Sequence, residues 1–210
     1  WRIGVVGDVI SSPSTPMRID NKAIVLKLGH GIAQIELRRH ILSKLQQPQW
    51  ELVTKLIQKM SHTRMENKLL GSVHWLGEST KPDTNKSKFA KSSFALETLI
   101  GGEPQDEELK VRGITAMLAE RAAFLVGGVP ADRLDVDKAI RKYYGIRGGI
   151  VHGEEEDISF DDIDGFGQLV RRIAIALLEK LNDLGDEIGN VEKLEGWVRK
   201  KKYGMLESGN

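Results

Sequence analysis

Cysteine is absent from the 210-residue chain, and with it go disulfide frameworks, thiolate zinc sites and iron–sulfur clusters. The absence fits a reducing compartment, and cytoplasm is the expected location. Neither sign of charge is in excess: 31 Lys and Arg stand against 30 Asp and Glu, for a formal net charge of +1. Bulk charge therefore gives no argument for a nucleic acid or a membrane, and either partner would have to be met by a local patch. Long hydrophobic runs are missing too. The most apolar stretch, Ile173 to Leu178, is flanked by Arg171, Arg172, Glu179 and Lys180, far short of a bilayer span, so no membrane partner is expected. There is no internal repeat and no low-complexity tract. The chain opens on Trp1-Arg2-Ile3 with no signal-like pattern, which reads as a piece of a longer protein whose upstream part could act as a sensor domain.

What is present is an ordinary globular composition, 40% hydrophobic, enough for one good core or two small ones. Val and Ile dominate residues 2–10 and 23–28, separated by a polar, proline-punctuated turn, as expected of short strands. Past Gly31 the apolar spacing turns helical through Ile32, Ile35, Leu37, Ile41 and Leu45, then Leu52, Leu56 and Ile57. Further stripes follow at Leu69, Val73 and Leu76, and at Phe89, Leu96, Leu99 and Ile100 closed by Gly101-Gly102 in left-handed cap position. From about Asp106, Val111, Ile114, Leu118, Ala122 and Leu125 predict a longer helix, and residues 135–144 a shorter one. Ser159 reads as an N-cap with Asp161, Asp162 and Asp164 in the first turn, opening a helix lined by Phe166, Val170, Ile173, Leu177 and Leu181. A last helix covers Val191 to Tyr203. The expected fold is mainly α. Residues 1–60 would be the end of a preceding domain, 61–185 a helical bundle, and 186–210 a C-terminal helix and basic tail.

Most routes to chemistry close quickly. His30, His40, His62 and His74 lack metal-ligand spacing, Gly29-His-Gly31 and Gly165-Phe-Gly167 lack the third glycine of a dinucleotide loop, and no Gly-Lys-Ser/Thr phosphate loop occurs. Pro82-Asp83 with Glu108-Leu-Lys110 resembles a metal-dependent nuclease pattern, but Glu108 and Lys110 fall at the start of a helix where that pattern needs strands. Glu154 to Asp157 reads as a solvated acidic loop more than a magnesium site. No metal and no cofactor are expected. The run Arg199 to Lys202 would either track a phosphate backbone or be merely solvated.

One stretch stands apart: Tyr144-Gly-Ile-Arg-Gly-Gly-Ile-Val-His-Gly153. On a straight helix Arg147 and His152, five residues apart, lie about 140° apart round the axis and share no face. Each interior glycine costs about 0.5–1 kcal/mol against alanine, so Gly148-Gly149 makes a bend or a close backbone approach cheap there. A guanidinium binds phosphate oxygens bidentately, and an imidazole exchanges a proton near neutral pH. Together they suit RNA cleavage in which a ribose 2′-hydroxyl is the nucleophile.

Phe94-Ala-Leu-Glu-Thr-Leu99, then Glu120-Arg-Ala-Ala-Phe-Leu125, then the stretch from Tyr144 to Gly153 resemble the HEPN superfamily, and most of all its Apea-like branch, over roughly residues 65–181. The most diagnostic part is an arginine followed at four to six residues by a histidine, matched by Arg147 and His152. The resemblance implies a HEPN-like bundle that pairs as a homodimer around a composite cleft. In many members that cleft is a metal-independent ribonuclease of antiviral defence or toxin systems, and in others an inactive RNA-binding or scaffold module. It implies phosphate binding by Arg147 and proton transfer by His152. Gly148 departs from it, standing where active members often carry a polar residue. Tyr144, with Tyr143, is a candidate for stacking on a base or for the core. Arg121 is a candidate for substrate contact, from a position where it would reach Glu97 or the motif loop, or else for a structural ion pair or a snorkelling side chain.

Overall fold

The structure is a computed structural model that describes residues 18–20, 23–28, 31–35, 47–81, 83–102, 107–153 and 157–205. The chain divides into two compact units, residues 1–51 and 52–210. In the first, β1 (Arg18–Asp20), β2 (Ala23–Leu28) and β3 (Gly31–Ile35) pair antiparallel in that order, with Ile24 opposite both Ile19 and Ile35. Residues 31–35 are thus extended where the spacing of Ile32 and Ile35 had suggested a helix. The positions Leu37, Ile41 and Leu45, with His30 and His40, lie outside the described residues.

The second unit is helical: α1 (Gln47–Gln58, which begins in the first unit), α2 (Arg64–Ser79), α3 (Asn85–Ile100), α4 (Glu107–Val126), α5 (Pro130–His152), α6 (Phe160–Leu184), a 3-10 turn at Gly185–Ile188, and α7 (Val191–Lys202). No helix among the described residues is long and apolar enough to cross a membrane. The boundaries follow from local chemistry. Thr63 caps α2 in a capping box, its hydroxyl accepting from the Glu66 N–H while Glu66 accepts from the Thr63 N–H, which satisfies two otherwise orphaned donors. Ser159 caps α6 as its sequence predicts, its Oγ accepting from the Asp162 N–H at 3.1 Å.

The central helix is α6, which meets α2, α3 and α4. Phe166, Val170, Ile173, Leu177 and Leu181 are all buried along it, so the expected stripe is the one that faces the core. An aromatic cluster ties α3, α5 and α6 together: Tyr143 stacks on Phe166 at 4.8 Å, and Phe89 lies 4.9 Å from Phe166 and 6.2 Å from Tyr143. Hydrophobic spacing failed at stripe edges. Val73, Ile114 and Ile57 are 53%, 52% and 68% exposed, because a 3.6-residue period places a residue near the apolar arc without saying how far the neighbouring helix reaches.

Three glycine positions depart from expectation. Gly113 takes φ +79°, ψ 173° and breaks α4 into two arms, a conformation open to glycine and strained for an L side chain. Of the expected cap pair, Gly101 ends α3 in an extended conformation and Gly102 takes the positive φ, +143°; a Cβ at Gly101 would sit 2.2 Å from the Glu97 carbonyl oxygen. The pair Gly148-Gly149 does not interrupt its helix. α5 runs unbroken for 23 residues from Pro130, in place of the shorter helix over 135–144, and stops at Gly153, which has φ +74° and donates its N–H back to the last turn. Proline at the first helical position and a left-handed glycine after the last are the usual bounds of a long helix.

Candidate active site

Because α5 is uninterrupted, helix geometry fixes how the candidate residues are displayed. Tyr144, Arg147 and Val151, spaced i, i+3, i+7, form one stripe. Gly145, Gly148, Gly149 and His152 form another, about 100° further round the axis. The first stripe turns toward α3. One oxygen of Glu97 on α3 accepts a hydrogen bond from the Tyr144 hydroxyl at 3.1 Å and forms an ion pair with Arg147 Nη2 at 3.2 Å. The aromatic cluster one residue earlier explains the aim: Tyr143 points into it, so Tyr144, one residue and about 100° further round the helix, points at Glu97.

Burial first, then the charge and hydrogen bond of Glu97, push the Tyr144 phenol well above its ordinary value of 10.0, while Arg147 pulls the other way. Tyr144 is thus a buried neutral donor that fixes the Glu97 carboxylate, and its ring is not free to stack on a base. Arg147 keeps about a third of its side chain exposed. Its guanidinium carries five donors in a fork, so one engaged Nη leaves capacity for a phosphate. Glu97 therefore orients Arg147 and, by the same contact, competes with an incoming anion.

The second stripe is only partly covered: Gly145 and His152 are exposed, Gly148 and Gly149 half-buried. A Cβ built on Gly145 or Gly148 would meet nothing within 4 Å, so packing within the chain does not demand glycine at either position. His152 is exposed on the last turn of α5, with no hydrogen-bond partner among the described residues. Arg147 and His152 lie about 7.5 Å apart along the axis and about 140° round it, so one copy of α5 does not turn both toward one phosphorus. Of the acidic segment that follows, Glu154 to Glu156 lie outside the described residues and Asp157 is exposed.

Arg121 is a structural ion pair, as one of its two readings expected, and not a substrate contact. Among the described residues it is the largest fully buried side chain, 1% exposed, donating Nη1 to the Ile100 carbonyl at 2.8 Å and pairing Nη2 with Glu195 of α7 at 2.5 Å. Its partner is Glu195, not Glu97, and the pair seals it from any substrate. Lys68 completes this arrangement by donating to the carbonyls of Thr98 and Gly101, both at 3.0 Å, so two cations close the carbonyl end of α3, the end where the helix dipole favours them. Burial lowers the proton affinity of both cations. Sequence reasoning missed the Glu97–Arg147 pair; the available signal was a carboxylate inside the apolar run Phe94 to Ile100. Neither a family model, nor a curated protein, nor a solved structure matches this chain.

Proposed function

We propose that this chain is a metal-independent endoribonuclease of the HEPN type, working as a homodimer in a defence or toxin setting, with Arg147 holding the scissile phosphate and His152 moving the proton. The reading rests on the residue resemblance. The observation that carries it furthest is the pair Gly145 and Gly148 on the side of α5 that ends at His152: packing within the chain requires glycine at neither position, and the imidazole beside them is exposed. Such a face suits close approach by a second α5 or by an RNA backbone. With the two groups about 140° apart on one helix, a composite cleft would take Arg147 from one copy and His152 from the other. The 2′-hydroxyl loses its proton to the imidazole, its oxygen bonds to phosphorus, and the bond from phosphorus to the 5′ oxygen breaks as that oxygen takes a proton from the imidazolium, leaving a cyclic phosphate and a 5′-hydroxyl. Upstream segments of the same chain would then serve as the trigger.

A second reading, a non-catalytic module for RNA binding or dimerisation, draws support from the engagement of Arg147 by Glu97. Mixing variants separates the two. Arg147→Ala and His152→Ala should each be inactive on structured RNA in EDTA. Mixed in equal amounts they should recover about a quarter of wild-type cleavage, since half the dimers are mixed and each carries one intact site of two. Wild-type protein that binds RNA yet never cuts it supports the module, and a mixture that stays dead removes pairing in trans.

A further inference from the structure

A second charged surface lies on α7, remote in sequence from Arg147 and His152. The inward side of α7 is fully committed: Val191, Leu194, Trp197 and Val198 are buried in the core and Glu195 is held by Arg121. Lys202 is also engaged, with Glu120 at 3.2 Å. At about 100° per residue, the outward arc is left to Glu192, Lys193, Gly196, Arg199, Lys200 and Tyr203. Arg199 and Lys200 are exposed and have no carboxylate partner among the described residues.

Two details give this arc more meaning than a solvated helix end. Gly196 sits in its middle, inside a helix, where glycine costs about 0.5–1 kcal/mol against alanine, and a Cβ there would meet nothing within 4 Å. The chain gains nothing in packing from that glycine, whereas a ligand lying along the arc gains a flat floor between Lys193 on one flank and Arg199 on the other. At the end of the arc Tyr203 is 56% exposed, one helical turn beyond Arg199. The chain then folds back, with the Met205 N–H donating to the Lys200 carbonyl at 2.8 Å and Gly204 at φ +66°, which fixes where the tyrosine stands.

We propose that the outward face of α7 is a track for single-stranded RNA, in which Arg199, Lys200 and Lys193, the last released from the Asp186 carbonyl to which it donates at 2.8 Å, contact phosphates across Gly196 and Tyr203 stacks on a base. Basic residues along a groove with a ring at its end are what sequence-tolerant single-strand binding uses. A lipid surface fits less well, since membrane-surface helices insert an apolar face and here that face is buried in the bundle. The inference shares only its RNA partner with the proposed function, and its test needs no cleavage.

The probe is a fluorescein-labelled 2′-O-methyl oligouridylate of about 12 nucleotides, within the usual span of such sites; it has no 2′-hydroxyl to attack with. Fluorescence anisotropy with the whole chain should show binding that weakens roughly 20-fold between about 50 and 200 mM salt if three phosphates are contacted. R199E/K200E should weaken it at least about tenfold, and Tyr203→Ala about fivefold or more. Both variants change exposed side chains, and their circular dichroism should match wild type. His152→Ala should bind as wild type does. Absence of binding by wild type, or unchanged binding in R199E/K200E, overturns the track. So does binding to vesicles of phosphatidylcholine and phosphatidylserine in equal parts with none to the oligonucleotide. Failure of the ribonuclease reading would show instead as intact binding with no cutting of ordinary RNA.

Discussion

Replacing Glu195 with alanine leaves a guanidinium inside the bundle without its carboxylate. The side chains of Arg121 and Glu195 are 1% and 8% exposed, so neither has water to fall back on. Arg121 would keep its bond to the Ile100 carbonyl, but Nε already lacks an acceptor, and the charge would be offset only by the more distant Glu192 and Glu120. Removing one member of a buried pair typically costs about 3–5 kcal/mol, and the partial offset places this case near the lower end. For a unit of this size, about 3 kcal/mol corresponds to a fall of about 6–12 °C in Tm.

The assay is urea and thermal unfolding followed at 222 nm, with Trp197 on the same helix as Glu195 reporting the docking of α7. The double variant R121M/E195L should recover to within about 1 kcal/mol of wild type or exceed it, because apolar residues of similar volume replace buried ion pairs at little or no cost. A loss below about 1 kcal/mol in Glu195→Ala, or a double variant as unstable as the single one, would refute the claim that this pair is sealed and that it clamps α7 to the core.

Two further outcomes follow from the helix geometry. Gly148→Ala should stabilise the fold by about 0.5–1 kcal/mol, since the new methyl meets nothing and the helix loses a poor former, while lowering cleavage or dimerisation if another chain seats on that face; Gly153→Ala, at φ +74°, should cost about 1–2 kcal/mol, both read by urea unfolding. Tyr144, whose phenol is held protonated well above 10.0 in the fold, contributes stability that is full below pH 10 and is lost as pH rises beyond it, because the unfolded chain releases that proton and the native one does not. Tyr144→Phe should flatten the alkaline fall in stability without abolishing it, as burial also raises the Tyr143 phenol; an unchanged slope would show that Tyr144 is not the buried acid.

Much of the bundle was legible because its stripes are long and local. On α6 every expected core position is buried, since a 25-residue helix repeats its period often enough to fix its inward face. The contacts that organise the site were not legible for the opposite reason. Arg121 and Glu195 are 74 residues apart, and Tyr144 and Glu97 are 47 apart. No spacing rule selects one carboxylate for one guanidinium over such separations.

The glycines carry the sharper lesson. Gly113 breaks α4 and Gly148 leaves α5 unbroken, though both sit in runs of helix-forming residues. Glycine makes departure from the helix cheap, but the surroundings decide whether the chain departs. α5 is held on both sides of its glycines, by buried Ile140 and Tyr144 before them and by Ile150 packed on the core after them, so a bend would cost those contacts and return nothing. At Gly145 and Gly148, then, neither the path of the backbone nor packing within the chain calls for glycine.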